Sequence, residues 1–353
     1  MRALVLTSNN HLKYKEVSEP KLAADECLIA VKHSGICNSD IYRACANGAY
    51  FYPLIMGHEF AGIVEEAGAD VVNFKPGDKV AVFPLIPCKK CAYCKSGYYA
   101  QCLDYDYYGS RRDGAFAQYI AVKAWNLFPL ADEVKLEQAA LLEPLSVVFH
   151  ALKKVPFEND DSVVIFGAGI IGLVMAKYLS STIDKKNIFI IDRNQSKLNI
   201  AQKYGVKVIN TSLDPDWLNV LRSETKGGAN HAIEACGAVQ TFAQSLEIVR
   251  SHGHVLWVGN ITGDLTLPKK AVSSVLRREI KLYGCWNSSF NHHHDDDWHT
   301  ALDFITRTDA AELISHNISL EEGESIFPRL YASKTGGSFP AKEPFLKVMF
   351  NIL

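Results

Sequence analysis

Along the first 150 residues the apolar positions fall in short runs broken by glycine, proline and aspartate. Residues 27–32, 62–68 and 79–83 are examples, the last following the turn Lys75-Pro76-Gly77-Asp78. Apolar runs of this length between turn signals predict strands, so this half reads as mostly β. From about Asp161 the pattern changes. The buried run Val163-Val164-Ile165-Phe166 leads into Gly167-Ala168-Gly169-Ile170-Ile171-Gly172, then a helical stretch over residues 173–181, then a second apolar run ending at Asp192. Apolar runs at 206–210, 232–237, 254–259 and 280–284 follow, separated by helix-periodic stretches near 196–204, 217–225, 239–250 and 271–279. Strands alternating with helices predict a doubly wound parallel sheet. The segment 345–350 reads as one more strand, returning to the first domain.

The length supports more than one core, and the pattern divides the chain into residues 1–150, 151–290 and a returning 291–353. Two domains imply a cleft. Lysine and arginine number 37 against 39 acidic residues, a net charge of −2, and no basic run exceeds a pair such as Arg111-Arg112. Nucleic acid is therefore not an expected partner. Met1 to Leu6 is too short an apolar run for a signal peptide, and no stretch approaches a membrane span, so a soluble cytoplasmic protein is expected. There are nine cysteines, and four of them crowd between Cys88 and Cys102, which suits metal binding in a reducing compartment.

The spacing Cys88, Cys91, Cys94, Cys102 predicts the closed four-thiolate set of a structural zinc. A second metal reading starts at Gly57-His58-Glu59-Phe60. A histidine among apolar residues is ordinarily a hydrogen-bonded core residue. Here Cys37-Asn38-Ser39-Asp40 lies upstream and Glu143-Pro144 closes an apolar stretch downstream. Cys37, His58 and Glu143 together would make an open, three-ligand zinc site with one position left for water or substrate.

The glycine turn follows a strand, opens a helix and has an acidic residue at the end of the next strand, the context a dinucleotide site requires. Gly167 suits a tight turn, Gly169 lets backbone approach a pyrophosphate, and Gly172 lets helix and strand pack closely; Asp192 would accept from the adenosine ribose. Arg111 and Arg112 sit between Gly109 and Gly114, either as ordinary surface charge paired internally with Asp113 or as an anion site. The acids of His292-His293-His294-Asp295-Asp296-Asp297 are read as capping the helix that follows, not as metal ligands.

In this order the motifs resemble the zinc-dependent medium-chain dehydrogenase/reductase family, over the whole chain. The resemblance implies a GroES-like β-rich catalytic domain, an inserted Rossmann domain binding NAD, two zinc ions per chain and a homodimer or homotetramer. Within the family the residues 47–53, 84–88 and 109–114 look like the polyol branch, which implies a hexitol or pentitol phosphate substrate, with Arg111 and Arg112 as candidates for its phosphate. Other readings are a free polyol, L-threonine, or a non-catalytic zinc- and nucleotide-binding protein. The resemblance also implies Glu59 as an alternating or water-bridged ligand, Ser39 at the start of a proton relay, Asp40 orienting His58, and Ile170 and Ile171 lying in the cofactor turn. Asp192 selects NAD over NADP, although Arg193 beside it could pair with a 2′-phosphate. Two positions depart from the pattern: Asn38 follows the ligand cysteine where relatives often have glycine or arginine, and Tyr42 replaces a relay histidine.

Overall fold

A computed structural model describes residues 1–292, 295–336 and 345–352. Chain contacts divide them into two compact units, Met1–Ser146 with Ser288–Leu353, and Val147–Asn287.

The first unit is built on the strand Glu26–Gly35, which pairs antiparallel with Glu59–Ala67, Tyr119–Lys123 and Lys347–Asn351 in a seven-stranded sheet. Its apolar side chains Cys27, Ile29 and Val31 pack with Phe60, Val64, Val80, Val82 and Ile120 in one core. A second core gathers Leu4, Leu6, Ile36, Phe116, Phe327 and Phe350. The C-terminal strand reaches this sheet in the register Met349 to Gly35 and Phe350 to Ser34, which places Lys347 beyond the end of Glu26–Gly35.

In the second unit six parallel strands lie in the order Lys207–Asn210, Ile188–Asp192, Val163–Phe166, Ala229–Glu234, Val249–Trp257, Lys281–Gly284. The strand order reverses at Val163–Phe166, the switch point at which such sheets bind ligands. The helix after the glycine turn, Ile170–Leu179, begins earlier than its apolar periodicity suggests, because Gly169 already takes the extended N-cap conformation. The fold is thus the expected α/β combination of a GroES-like domain and a Rossmann-type sheet.

Asp296 caps the helix Asp297–Arg307 by accepting from the amides of Trp298 and His299, so that acid serves the helix end. His293 and His294 of the same run lie outside the described residues. Among the described residues no helix is long and apolar enough to cross a membrane.

Candidate active site

The strand Glu59–Ala67 begins directly after His58, and the short helix Asn38–Tyr42 begins directly after Cys37. These two element ends bring donor atoms of Cys37, His58 and Glu59 within 4.8 Å of one another. A half-buried thiol with a buried imidazole and carboxylate in one place fits a zinc ion. Space for the carboxylate comes from Gly35, where a Cβ would lie 2.4 Å from Oε2 of Glu59.

Glu143 lies outside this tight trio. It is buried in the first turn of the helix Leu142–Leu152 and accepts from the hydroxyl of Tyr107 at 3.3 Å. Burial pushes its carboxyl up to about 7; His58 and Lys347 oppose that rise and Glu59 adds to it. A cation beside it would supply the missing charge compensation.

Asp40 is fully buried. Its Oδ1 lies 3.4 Å from Nδ1 of His58 and accepts from Arg43 at 3.2 Å, while Oδ2 accepts from the amide of Cys37 at 3.2 Å. One carboxylate thus touches both the thiol-bearing and the imidazole-bearing segments. Burial works against its charge, but His58 and Arg43 outweigh burial and hold Asp40 below the usual carboxylate range. Burial pulls the His58 imidazole down, yet Asp40 and Cys37 raise it well above its ordinary value. Ser39 is half-buried on the same helix, and Tyr42, in the relay-histidine position, packs edge-on against Tyr331 at 5.8 Å.

The four-cysteine lobe closes on itself. Donor atoms of Cys88, Cys91, Cys94 and Cys102 all lie within 4.8 Å of one another. Cys91 caps the helix Ala92–Lys95. The amides of Cys94 and Leu103 pull its thiol down to about 6, so this lobe presents a thiolate ready for a cation. The set fits a closed structural zinc.

The loop carrying Arg111 and Arg112 is laced onto the segment before His58. The amides of Gly114, Ala115 and Phe116 donate to Ile55, Gly57 and Met56, and Asp113 accepts from the amide of Ile55 at 2.8 Å. Asp113 therefore anchors the loop and does not pair with the arginines. Arg112 pairs instead with Asp106, 2.7 Å from its Nε, and more loosely with Glu26 at 3.9 Å. Arg111 instead lies over Tyr105 and Tyr50, 4.3 and 5.2 Å from their ring centres, with one long bond to the carbonyl of Tyr105. It lines a 660 Å³ cavity with Tyr50, Lys90, Asp104, Tyr105, Asp106 and Arg112. A Cβ on Gly109 or Gly114 would lie 2.5 or 2.2 Å from the Gly57 carbonyl oxygen, and Gly57 itself has φ +95°.

In the second unit the glycine turn has the shape a dinucleotide needs. Gly167 has φ +103°, nothing stands within 4 Å of a Cβ built on Gly169, and a Cβ on Gly172 would sit 1.9 Å from the Gly167 carbonyl oxygen. The middle position is open for a pyrophosphate and the last is closed by helix packing. Asp192 accepts from the amides of Ala168 and Asn194, both at 2.8 Å, which fixes its carboxylate beside the turn. Arg193 is exposed, and Ile170 and Ile171 are half-buried at the helix start.

Sequence reasoning missed Lys347, Tyr107 and Arg43. Lys347 carried a signal, since it interrupts Phe345-Leu346-Lys347-Val348-Met349-Phe350 in a segment otherwise apolar on both faces. A lysine there must find a buried partner. Arg43 stands one helical turn after Asp40 and was readable as its partner, whereas Tyr107 becomes meaningful only once distant segments meet.

Residues 23–132 match the alcohol dehydrogenase GroES-like domain and residues 169–307 the zinc-binding dehydrogenase domain. The galactitol 1-phosphate 5-dehydrogenase of Escherichia coli (strain K12) is 34% identical over 327 residues, covering 91% of this chain and 94% of that one. A sorbitol dehydrogenase of Bacillus subtilis (strain 168) is 30% identical, with 93% of each chain covered. The crystal structure of galactitol-1-phosphate dehydrogenase from Escherichia coli superposes with a TM-score of 0.86 at 33% identity, covering 99% of this chain and 100% of that one.

Proposed function

The chain belongs to the zinc-dependent medium-chain alcohol dehydrogenase family, and from that premise we propose that it oxidises a secondary alcohol of a polyol phosphate, such as galactitol 1-phosphate, to a ketose phosphate with NAD. Its membership makes it an enzyme acting on a small molecule. When bound, zinc supplies the acidity that lets an alcohol hydroxyl lose its proton, and the nicotinamide ring supplies the hydride acceptor.

The chain's own residues divide the remaining work. Cys37 and His58 hold the cation, with Glu143 or Glu59 as the third ligand. Asp40 orients His58 from behind and ties its position to that of Cys37. Ser39, beside them on the helix Asn38–Tyr42, receives the hydroxyl proton. Gly167, Gly169 and Gly172 admit the cofactor's pyrophosphate, and Asp192 takes the adenosine ribose.

The observation that carries the phosphorylated substrate is Arg111. Its guanidinium stands over Tyr105 and Tyr50 in an open cavity with no carboxylate partner among the described residues, whereas Arg112 is held by Asp106. A guanidinium matches phosphate oxygens with paired donors. The test is NAD reduction with a panel of polyols, their phosphates and L-threonine. Turnover of a hexitol or pentitol phosphate well above that of the free polyols supports the proposal. The sorbitol dehydrogenase relatives favour a second reading, a free polyol, and preference for sorbitol or xylitol in the same panel would select it.

We also propose a homo-oligomer. Leu282 lies exposed on the edge strand Lys281–Gly284, with Val272, Leu276 and Trp286 exposed nearby in the chain. Light scattering reads the oligomeric state directly.

A further inference from the structure

Glu234 ends the strand Ala229–Glu234 and is fully buried. Its Oε1 collects donors from the loop that follows: the amide of Cys236 at 3.1 Å, the amide of Gly237 at 2.9 Å, the thiol of Cys236 at 3.1 Å and, at 2.7 Å, the hydroxyl of Thr241, whose single proton is shared with the Ala238 carbonyl at 2.6 Å. Its main-chain oxygen accepts from Val258 and Gly259, the first residues after the neighbouring strand Val249–Trp257. One residue therefore joins the loops that follow two adjacent strands. The joint is tight, since a Cβ on Gly259 would lie 2.3 Å from Oε2 of Glu234 and one on Gly237 2.3 Å from the Asn260 carbonyl oxygen. Oε2 finds no hydrogen-bond partner among the described residues. Burying a carboxylate to organise a surface loop is costly unless the loop's shape matters.

The position shows what that shape serves. A Cβ on Gly167 would lie 2.7 Å from Cβ of Cys236, so this loop lies directly against the first glycine of the cofactor turn. The strand Ala229–Glu234 stands across the switch point from Ile188–Asp192. Doubly wound sheets bind a dinucleotide one mononucleotide per half. The half that carries Asp192 takes the adenosine, so the loops after Glu234 and Trp257 border the nicotinamide nucleotide.

We propose that Glu234 is a positioning residue for the nicotinamide half of the cofactor. Its carboxylate holds the Cys236, Gly237 and Thr241 donors inward, and so sets the surface that the nicotinamide nucleoside meets, without touching the cofactor itself.

The inference rests on the use of a nicotinamide dinucleotide. The test compares NADH with ADP, which has the adenosine and pyrophosphate but no nicotinamide nucleoside, by calorimetric titration of the full chain. Glu234→Gln keeps the side chain's size and one acceptor but removes the charge. It is expected to raise the Kd for NADH about tenfold, the loss of roughly one charge-assisted hydrogen bond, while the Kd for ADP changes less than about twofold. Thr241→Val removes a single donor and gives the same selective loss on a smaller scale; it carries the test if the Glu234 variant does not fold. Equal losses for NADH and ADP mean Glu234 only supports the fold, and no loss for either means the loop's shape is set elsewhere; either result overturns the inference. Wild-type protein that binds neither ligand would sink the cofactor reading as well, which distinguishes the two failures.

Discussion

Lys347 donates to the carboxylate of Glu59 inside the first unit, and both side chains are almost wholly buried. Its second bond goes to the carbonyl of Ile36 at 3.2 Å. Burial disfavours the ammonium, but Glu59, Cys37 and Glu143 outweigh burial and raise Lys347 above its usual value. Lys347→Met leaves the Glu59 charge uncompensated, which costs about 3 to 5 kcal/mol for a broken buried pair. Zinc beside Glu59 replaces part of the lost positive charge. Thermal unfolding should therefore show a larger drop in Tm for the metal-stripped variant than for the zinc-loaded one. An equal drop in both states would mean that Glu59 does not face the metal.

Elemental analysis should find two zinc ions per chain, of which a chelator removes one first. The closed thiolate lobe gives up its metal slowly, and the open site gives it up readily. Activity should be lost before the fold melts. Cys91→Ala should remove one zinc and lower Tm, whereas Cys37→Ala should abolish activity with a smaller change in Tm.

The two arginines should separate. Arg111→Ala removes a charge-assisted contact worth about 1.5 to 3 kcal/mol, which corresponds to a rise in KM for a polyol phosphate of about tenfold to a hundredfold. Slow turnover of the free polyol should be unchanged. Arg112→Ala breaks the bond to Asp106 and should lower both substrates together through the loop. Identical profiles for the two variants would place the phosphate elsewhere.

Asp192 is fixed by two amides beside the glycine turn, and if the adenosine lies there its carboxylate would repel a 2′-phosphate. Steady-state kinetics should give a higher kcat/KM with NAD than with NADP, and Asp192→Ala should narrow the gap. A preference for NADP in the wild type would overturn this.

A histidine pair in the second unit sets a pH dependence of stability. Nε2 of His231 lies 2.7 Å from Asp161, and its Nδ1 lies 3.3 Å from Nδ1 of His254. With both rings neutral and Nε2 of His231 donating to Asp161, Nδ1 of His231 accepts from Nδ1–H of His254. Burial pushes each imidazole below its ordinary value; Arg250 adds to this at both rings and Lys281 at His254, while Asp161 opposes it. The unfolded chain then binds more protons below about pH 6.5, so stability is present above that value and lost as pH falls through the folded pKa. Tm should fall as pH is lowered below about 6.5, and His254→Phe should flatten that slope.

Much of this was legible before the structure, for reasons that differ by element. The glycine turn declares itself because each glycine answers a local steric demand, and Gly172 could be read without knowing what surrounds it. The four cysteines are equally local. The trio of Cys37, His58 and Glu59 depends on two strand and helix ends meeting, and the sequence order supplied the candidates without revealing that Glu59 stands closer to the other two than Glu143 does. Of the two readings of the arginines, the pairing with Asp113 does not occur, because Asp113 is adjacent in the chain while Asp106 reaches Arg112 only when the turn folds back. Glu234 was passed over as one acid in an apolar strand.

The stacking of Gly57, Gly109 and Gly114 has a consequence for substrate length. Gly57 precedes His58, and the other two glycines bracket Arg111, so backbone contact without intervening side chains sets the spacing between the imidazole of His58 and the guanidinium. A spacing set by main chain against main chain behaves as a ruler. If Arg111 takes the phosphate, hexitol and pentitol phosphates will be told apart by how many carbons separate the oxidised hydroxyl from the phosphorus, and a side chain at either loop glycine will shift the gauge by pushing its two ends apart.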